Sequence, residues 1–147
     1  MKVGITNDHR GVYLKRILVE YLDHSGYEVI DYGTASDESV DFPEYAYKLG
    51  EGIKNKEVEY GIAICGTGIG MSIALNKMKG IYCAKVSNIN EAVLCRSHND
   101  ANCIAFSADI DDDLAKSMVD KFLVTSRLSD NKYARRNKMI KDMEKNG

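Results

Sequence analysis

Cys65 is the residue best placed to do chemistry, because of what surrounds it. Gly66, Gly68 and Gly70 alternate with Thr67 and Ile69, and Met71-Ser72-Ile73-Ala74-Leu75 reads as the start of a helix. The apolar run Ile62–Cys65 reads as a buried parallel strand. A strand, a glycine turn and a helix start together leave a nest of backbone N–H groups without intrachain partners. Such a nest binds an anion or stabilises a developing oxyanion. A thiol at its mouth is placed to act as a base or a nucleophile.

Three well-known loops do not fit. A dinucleotide fingerprint needs its third glycine three residues after the second, where this chain has Met71. A Walker-type phosphate loop needs a Lys at its end, and none is present. A phosphatase cysteine loop wants an Arg about six residues after the Cys, and that residue is again Met71. Two readings remain open on the loop alone: a thiol poised over an anion hole for a small ligand, or a structural turn beside an inert buried Cys.

The surrounding chain reads as elements that would position this loop. Lys2–Thr6 is a first strand, followed by the polar turn Asn7-Asp8-His9-Arg10-Gly11. Leu14, Ile17, Leu18, Tyr21 and Leu22 recur at helical spacing, with a stop at His24-Ser25-Gly26. Glu28–Tyr32 is a second strand, and Pro43 starts a helix that runs to about Lys54. Beyond the central strand come a strand at Ile81–Val86, a helix at Asn88–Arg96 and a strand at Cys103–Ser107. Asp111-Asp112-Asp113 then caps a further helix, and a basic helix of about 132–145 closes the chain. Five strands alternating with helices predict an α/β fold: a three-layer α/β/α sandwich around a five-stranded parallel sheet, Rossmann-like in architecture.

Ligands in such folds bind at the carboxyl ends of the strands. Asp8 and His9 follow strand one and Cys65 follows strand three, so all three are expected on one edge. His98, in Ser97-His98-Asn99-Asp100, precedes strand five and falls on the opposite edge. If His98 works with Cys65, a second subunit must bring it there. Otherwise it is a solvated or structural histidine, the commoner role.

Composition narrows the classes further. The 147 residues suit one domain with a full core, 1–147, and 44% hydrophobic with 29% charged residues is a globular composition. A net charge of −2 without a basic run argues against nucleic acid, and no apolar run is long enough to span a membrane. The cysteines at 65, 83, 95 and 103 show neither a CxxC pair nor zinc spacing, so no metal site is expected. Free thiols point to a reducing compartment, the cytoplasm.

In this order, Asp8-His9-x-Gly11, Asp31-x-Gly33-Thr34, Asp41-Phe42-Pro43, Cys65-Gly66-Thr67-Gly68-Ile69-Gly70-Met71-Ser72, Asn76-Lys77, His98-Asn99-Asp100-x-Asn102 and Ala105-Phe106 run through nearly the whole chain. The pattern resembles the ribose-5-phosphate isomerase B family, which also includes galactose- and allose-6-phosphate isomerases. The resemblance implies a metal- and cofactor-independent aldose–ketose isomerase of a sugar phosphate, acting through a cis-enediolate. Its simplest form interconverts ribose 5-phosphate and ribulose 5-phosphate, as in the pentose phosphate pathway. Another aldose, phosphorylated or not, and a non-catalytic binding subunit are the alternatives.

By the same resemblance Cys65 is the base, with Thr67 beside it, and His98 opens the sugar ring with help from Asp8. Backbone N–H groups from Gly66 to Ser72, including Gly68, Ile69, Gly70 and Met71, form the anion hole. Asn99 and Phe42 line the substrate, and His9, Lys132 and Arg136 hold the phosphate. Sites are shared between subunits of a homodimer or tetramer, with the C-terminal helix packed on the partner. Three positions depart from the pattern. Phe42 stands for a Tyr, Lys132 for an Arg, and Asp109 for another phosphate-binding Arg. Asp109 is therefore a candidate specificity residue, expected either to turn away or pair with Lys132, leaving a weaker phosphate site, or to face the ligand, repel phosphate and accept from sugar hydroxyls. A solvated basic helix is the plainer reading of the tail.

Overall fold

In the computed structural model, which describes Met1–Gly147, five strands form one parallel sheet. They are β1 (Lys2–Asn7), β2 (Glu28–Asp31), β3 (Tyr60–Cys65), β4 (Cys83–Lys85) and β5 (Cys103–Ser107). The order across the sheet is β2-β1-β3-β5-β4, and every neighbouring pair is parallel. The three central strands are buried on both faces, as their near-continuous apolar sequences require.

Five helices pack on the sheet, α1 (Val12–His24), α2 (Phe42–Lys54), α3 (Ile69–Asn76), α4 (Ile89–Ser97) and α5 (Asp112–Val124), while α6 (Asn131–Asn146) buries none of its residues and reaches only the end of α4 and the Gly80–Tyr82 segment. Side chains alternate along each strand, so two cores form. Val3, Ile5, Ile62, Ile64, Ile104 and Phe106 point toward α1, α4 and α5, which contribute Leu14, Leu18, Cys95, Met118 and Phe122. Ala63, Cys65, Cys103 and Ala105 point toward α2 and α3, which contribute Leu49, Met71 and Leu75. This is the expected three-layer fold. The sheet face toward α2 is lined by small residues because that helix lies close: a Cβ on Gly4 would sit 2.7 Å from the Leu49 side chain.

The helix ends follow local chemistry. Gly26, at φ +91°, ends α1, and Pro43 lies in the first turn of α2. The Asp111 carboxylate caps α5 by accepting from the N–H groups of Asp113 and Leu114 at 3.0 and 3.3 Å. Two boundaries differ from expectation by more than one residue. The helix α3 begins at Ile69 rather than Met71, so Gly70 lies inside it. Strand β4 is shorter than Ile81–Val86, although Val86 N still donates to Ala105 O at 2.9 Å, and side-chain amides reinforce its start. Asn102 accepts from Tyr82 N and donates to Gly80 O, and Asn76 bonds both the N–H and the C=O of Cys83 at 2.8 Å.

This topology fixes where a ligand can sit. After β1 the chain crosses to one side for β2, then to the other side of β1 for β3, so the loops after β1 and β3 diverge from a shared crevice. Asn7 is in register with Ile64, and Asp8 N donates to Ile64 O at 3.1 Å. No helix is long and apolar enough to cross a membrane.

Candidate active site

Cys65 ends β3 at this crevice with 5% of its surface exposed. The turn after it must bend sharply under β5. Gly68, at φ +81°, makes the bend, and a Cβ there would lie 2.7 Å from Phe106 Cα. The four leading N–H groups of α3 have no partner within the helix. Gly68 N donates to Cys65 Sγ at 3.1 Å, and Ile69 N donates to Thr67 Oγ1 at 3.1 Å. Gly70 and Met71 supply the next two N–H groups of that turn. Ser72 N donates to Gly68 O at 3.1 Å, so Ser72 closes the nest and its N–H is not free for a ligand, contrary to expectation. The N–H bonded to Cys65 Sγ also steadies any negative charge on the sulfur. Gly70 is required for space: a Cβ there would meet the Phe42 ring at 2.7 Å. Phe42, half-buried at the start of α2, thus walls the nest with an apolar ring and offers no hydroxyl.

The loop after β1 brings the expected carboxylate and imidazole to the same edge. Asp8 is buried, and its Oδ1 accepts from Arg10 N at 2.9 Å. His9 Nδ1 accepts from Val40 N at 3.1 Å, so a neutral ring carries its proton on Nε2, the nitrogen left for a ligand. Asn7 Nδ2 bonds the carbonyls of Asp8 and Thr34, tying this loop to the one after β2. Lys15, buried, donates to Asp31 Oδ2 and to Thr34 O at 2.9 and 3.0 Å. The Asp31-x-Gly33-Thr34 stretch therefore supports the site from behind.

Within this chain Asp109 pairs with Arg10. Its carboxylate accepts from Arg10 Nη2 at 3.2 and 3.4 Å. Ser107 Oγ donates to Gly66 O at 2.8 Å and accepts from Asp109 N at 3.0 Å, which joins the loop after β5 to the glycine loop. Arg10 and Ser107 are absent from the residues expected at the site. Arg10 occupies the variable position of Asp8-His9-x-Gly11, and a charge between two site residues was the available signal.

His98, Asn99, Lys132 and Arg136 are not brought to Cys65. Cys103, just after His98–Asn102, is in register with Gly61, whereas Cys65 is in register with Ser107. The length of β3, six residues or roughly 20 Å, separates the two ends. His98 caps the end of α4, and Asn99 is exposed. The His98 ring stacks on Tyr133 at 4.4 Å between centroids, and its carbonyl accepts from Asn137 Nδ2 at 3.0 Å. It thus has a structural contact that the sequence did not reveal. Lys132 and Arg136 are exposed on α6, and Lys132 Nζ lies 5.1 Å from the Tyr133 ring. Glu144 fastens the far end of α6 through Gly80 N at 2.7 Å and the Tyr82 hydroxyl at 2.9 Å.

Comparison with known proteins agrees with this geometry. The profile of the family described as Ribose/Galactose Isomerase matches residues 3–140. The chain is 44% identical over 123 residues to ribose-5-phosphate isomerase B of Escherichia coli, covering 83% of each protein. The structure superposes on ribose-5-phosphate isomerase B of Clostridium thermocellum with a TM-score of 0.95 and 44% identity, covering 99% of both chains. It also superposes on the Mycoplasma genitalium enzyme with bound ribulose-5-phosphate, with a TM-score of 0.92 and 34% identity, covering 99% of this chain and 97% of that one. With the Cys65 nest and the Asp8 loop meeting at one crevice of this fold, the chain belongs to the ribose/galactose isomerase family.

Proposed function

We propose that the protein is an aldose–ketose isomerase that interconverts ribose 5-phosphate and ribulose 5-phosphate through a cis-enediolate. One observation carries this reading: a thiol whose sulfur accepts from Gly68 N, at the crevice shared by the loops after β1 and β3. The Cys65 sulfur removes the proton from C2 and returns it to C1. The N–H groups of Gly70 and Met71, with those of the Gly66–Thr67 turn, hold the enediolate oxygens, where preorganised donors contribute most. Thr67 Oγ1 holds the Ile69 N–H and so fixes the shape of the turn. Because backbone amides carry the developing charge, this route assigns no role to a metal ion. Asp8 and His98 open the sugar ring, and His9 Nε2 meets the phosphate.

Within one chain His98, Lys132 and Arg136 lie at the wrong end of the sheet, so a second copy is inferred to supply them. Ile69 and Ile73, 53% and 59% exposed, flank the nest on α3, and Met139, Ile140 and Met143 are exposed on α6. Large apolar side chains beside an incomplete site support an interface there. In this reading α6 packs across that interface and brings Asn99 and the basic face of the helix to the partner's Cys65. The free thiols fit a cytoplasmic enzyme.

The test is NMR-monitored conversion of ribose 5-phosphate, ribose, and six-carbon aldose phosphates. The reading requires ribose 5-phosphate to have the highest kcat/KM. A higher value for a six-carbon phosphate or for free ribose would replace the substrate, and no conversion of any would leave a binding subunit.

A further inference from the structure

Arg10 projects over the reaction site without a structural need to do so. Its backbone N–H is fixed to Asp8, and its side chain crosses from the β1 loop to the glycine loop, where a Cβ on Gly66 would lie 3.4 Å from Nη1. Only Nη2 is engaged, by Asp109, so Nη1 and Nε retain free donors. The side chains of Arg10 and Asp109 are 54% and 72% exposed, and an exposed pair of this kind adds little to stability. Asp109 is nonetheless anchored: its N–H is held by Ser107 Oγ, which is held by Gly66 O, and Ala108 N donates to Cys65 O at 2.8 Å. A carboxylate fixed to the catalytic loop thus aims a guanidinium across the mouth of that loop.

Taking a sugar phosphate as the substrate, we propose that Arg10 binds its phosphate group at the mouth of the Cys65 nest, and that Asp109 is the positioning residue that orients Arg10. A guanidinium offers a planar fork that matches a phosphate, and a phosphate carries nearly twice the charge of a carboxylate. The ester can therefore take the free Nη1 and Nε donors while Nη2 stays on Asp109. Pairing with Arg10 also removes the repulsion that an unpaired Asp109 would exert on an anion. His9, one residue earlier on the same turn, offers its Nε2 beside it. The cation at this end of the chain is thus supplied from the loop after β1, while position 109 has become its support.

The experiment is steady-state kinetics and titration calorimetry with ribose 5-phosphate on the full-length protein, comparing wild type with Arg10→Ala, Arg10→Lys, Asp109→Asn and the Arg10→Ala/Asp109→Asn double variant. Arg10→Ala is expected to raise KM about ten- to a hundredfold, with kcat within about threefold, as the loss of a charge-assisted contact predicts. Arg10→Lys recovers part of the affinity. Asp109→Asn raises KM by less than Arg10→Ala does, and the double variant is no worse than Arg10→Ala alone, because Asp109 acts only through Arg10. An unchanged KM in Arg10→Ala overturns the proposal, and so does a fall in kcat and melting temperature that Arg10→Lys does not relieve. Additive effects in the double variant overturn the role of Asp109. The reaction and this site fail separately. Normal turnover with an Arg10-independent KM removes the site alone. Calorimetric binding that needs Arg10, in a protein without turnover, removes the reaction and supports the site.

Discussion

Replacing Gly68 by Ala separates two costs that this structure places on one residue. The backbone there is at φ +81°, where an L side chain costs about 1–2 kcal/mol. A Cβ would also lie 2.7, 2.8 and 3.0 Å from the Cα, C and N of Phe106 in the buried strand β5. Those atoms are backbone and cannot swing aside, and forced overpacking adds about 1–3 kcal/mol. Gly68→Ala should therefore lose about 2–5 kcal/mol, or roughly 5–15 °C in melting temperature for a chain of this size. Gly26 provides the control: its φ is +91°, with nothing within 4 Å of a Cβ. Gly26→Ala should lose only the conformational part, about 1–2 kcal/mol. Because Gly68 N holds the Cys65 sulfur, the Gly68 variant should also lose kcat while the Gly26 variant keeps it. The assay is urea unfolding of both variants beside steady-state turnover. Equal stability losses at the two positions would refute the close approach of the glycine turn to β5.

Two further outcomes follow from particular contacts. Mixing Cys65→Ala with His98→Asn chains after unfolding and refolding should restore activity to about a quarter of the wild-type sites, because half of randomly paired dimers carry one intact site; mixtures as inactive as their components would remove the shared site. Burial, with the Glu144 carboxylate that Tyr82 meets, pushes the Tyr82 phenol up to about 12, against about 10 in the unfolded chain. A group raised on folding contributes stability that is full below about pH 10 and is lost as pH rises toward 12, so Tyr82→Phe should flatten the fall of the urea midpoint over that range; an unchanged slope would contradict the assignment.

Much of this architecture is legible in the sequence, because its elements are marked locally. Gly26, Pro43 and Asp111 sit at helix ends for reasons that involve only their neighbours, and the apolar runs of β1, β3 and β5 follow from burial on both faces. The placement of Asp8 and Cys65 on one edge follows from strand direction alone. The failures arise where the deciding partner is distant. Gly70 looks like a third turn residue, but the Phe42 ring, far back in the chain, explains it as a helix residue. The start of β4 is held by the Asn76 and Asn102 amides, which no periodicity encodes. The Arg10–Asp109 pair joins loops 99 positions apart, and the stacking of His98 on Tyr133 needs α6 folded back on its own chain. Each of these is a tertiary contact between residues whose types allow many partners.

The proposed isomerisation turns on the Cys65 sulfur moving the proton between C2 and C1. The direct measurement is deuterium incorporation at C2 of ribose 5-phosphate in D₂O, followed by proton NMR, for wild type and Cys65→Ala, with binding of the same sugar phosphate measured in parallel. Loss of a general base costs about 10² to 10⁴ in rate. Exchange should slow by that factor in Cys65→Ala while ribose 5-phosphate still binds within a few-fold of wild type. Exchange near the wild-type rate in that variant would contradict this role for the sulfur.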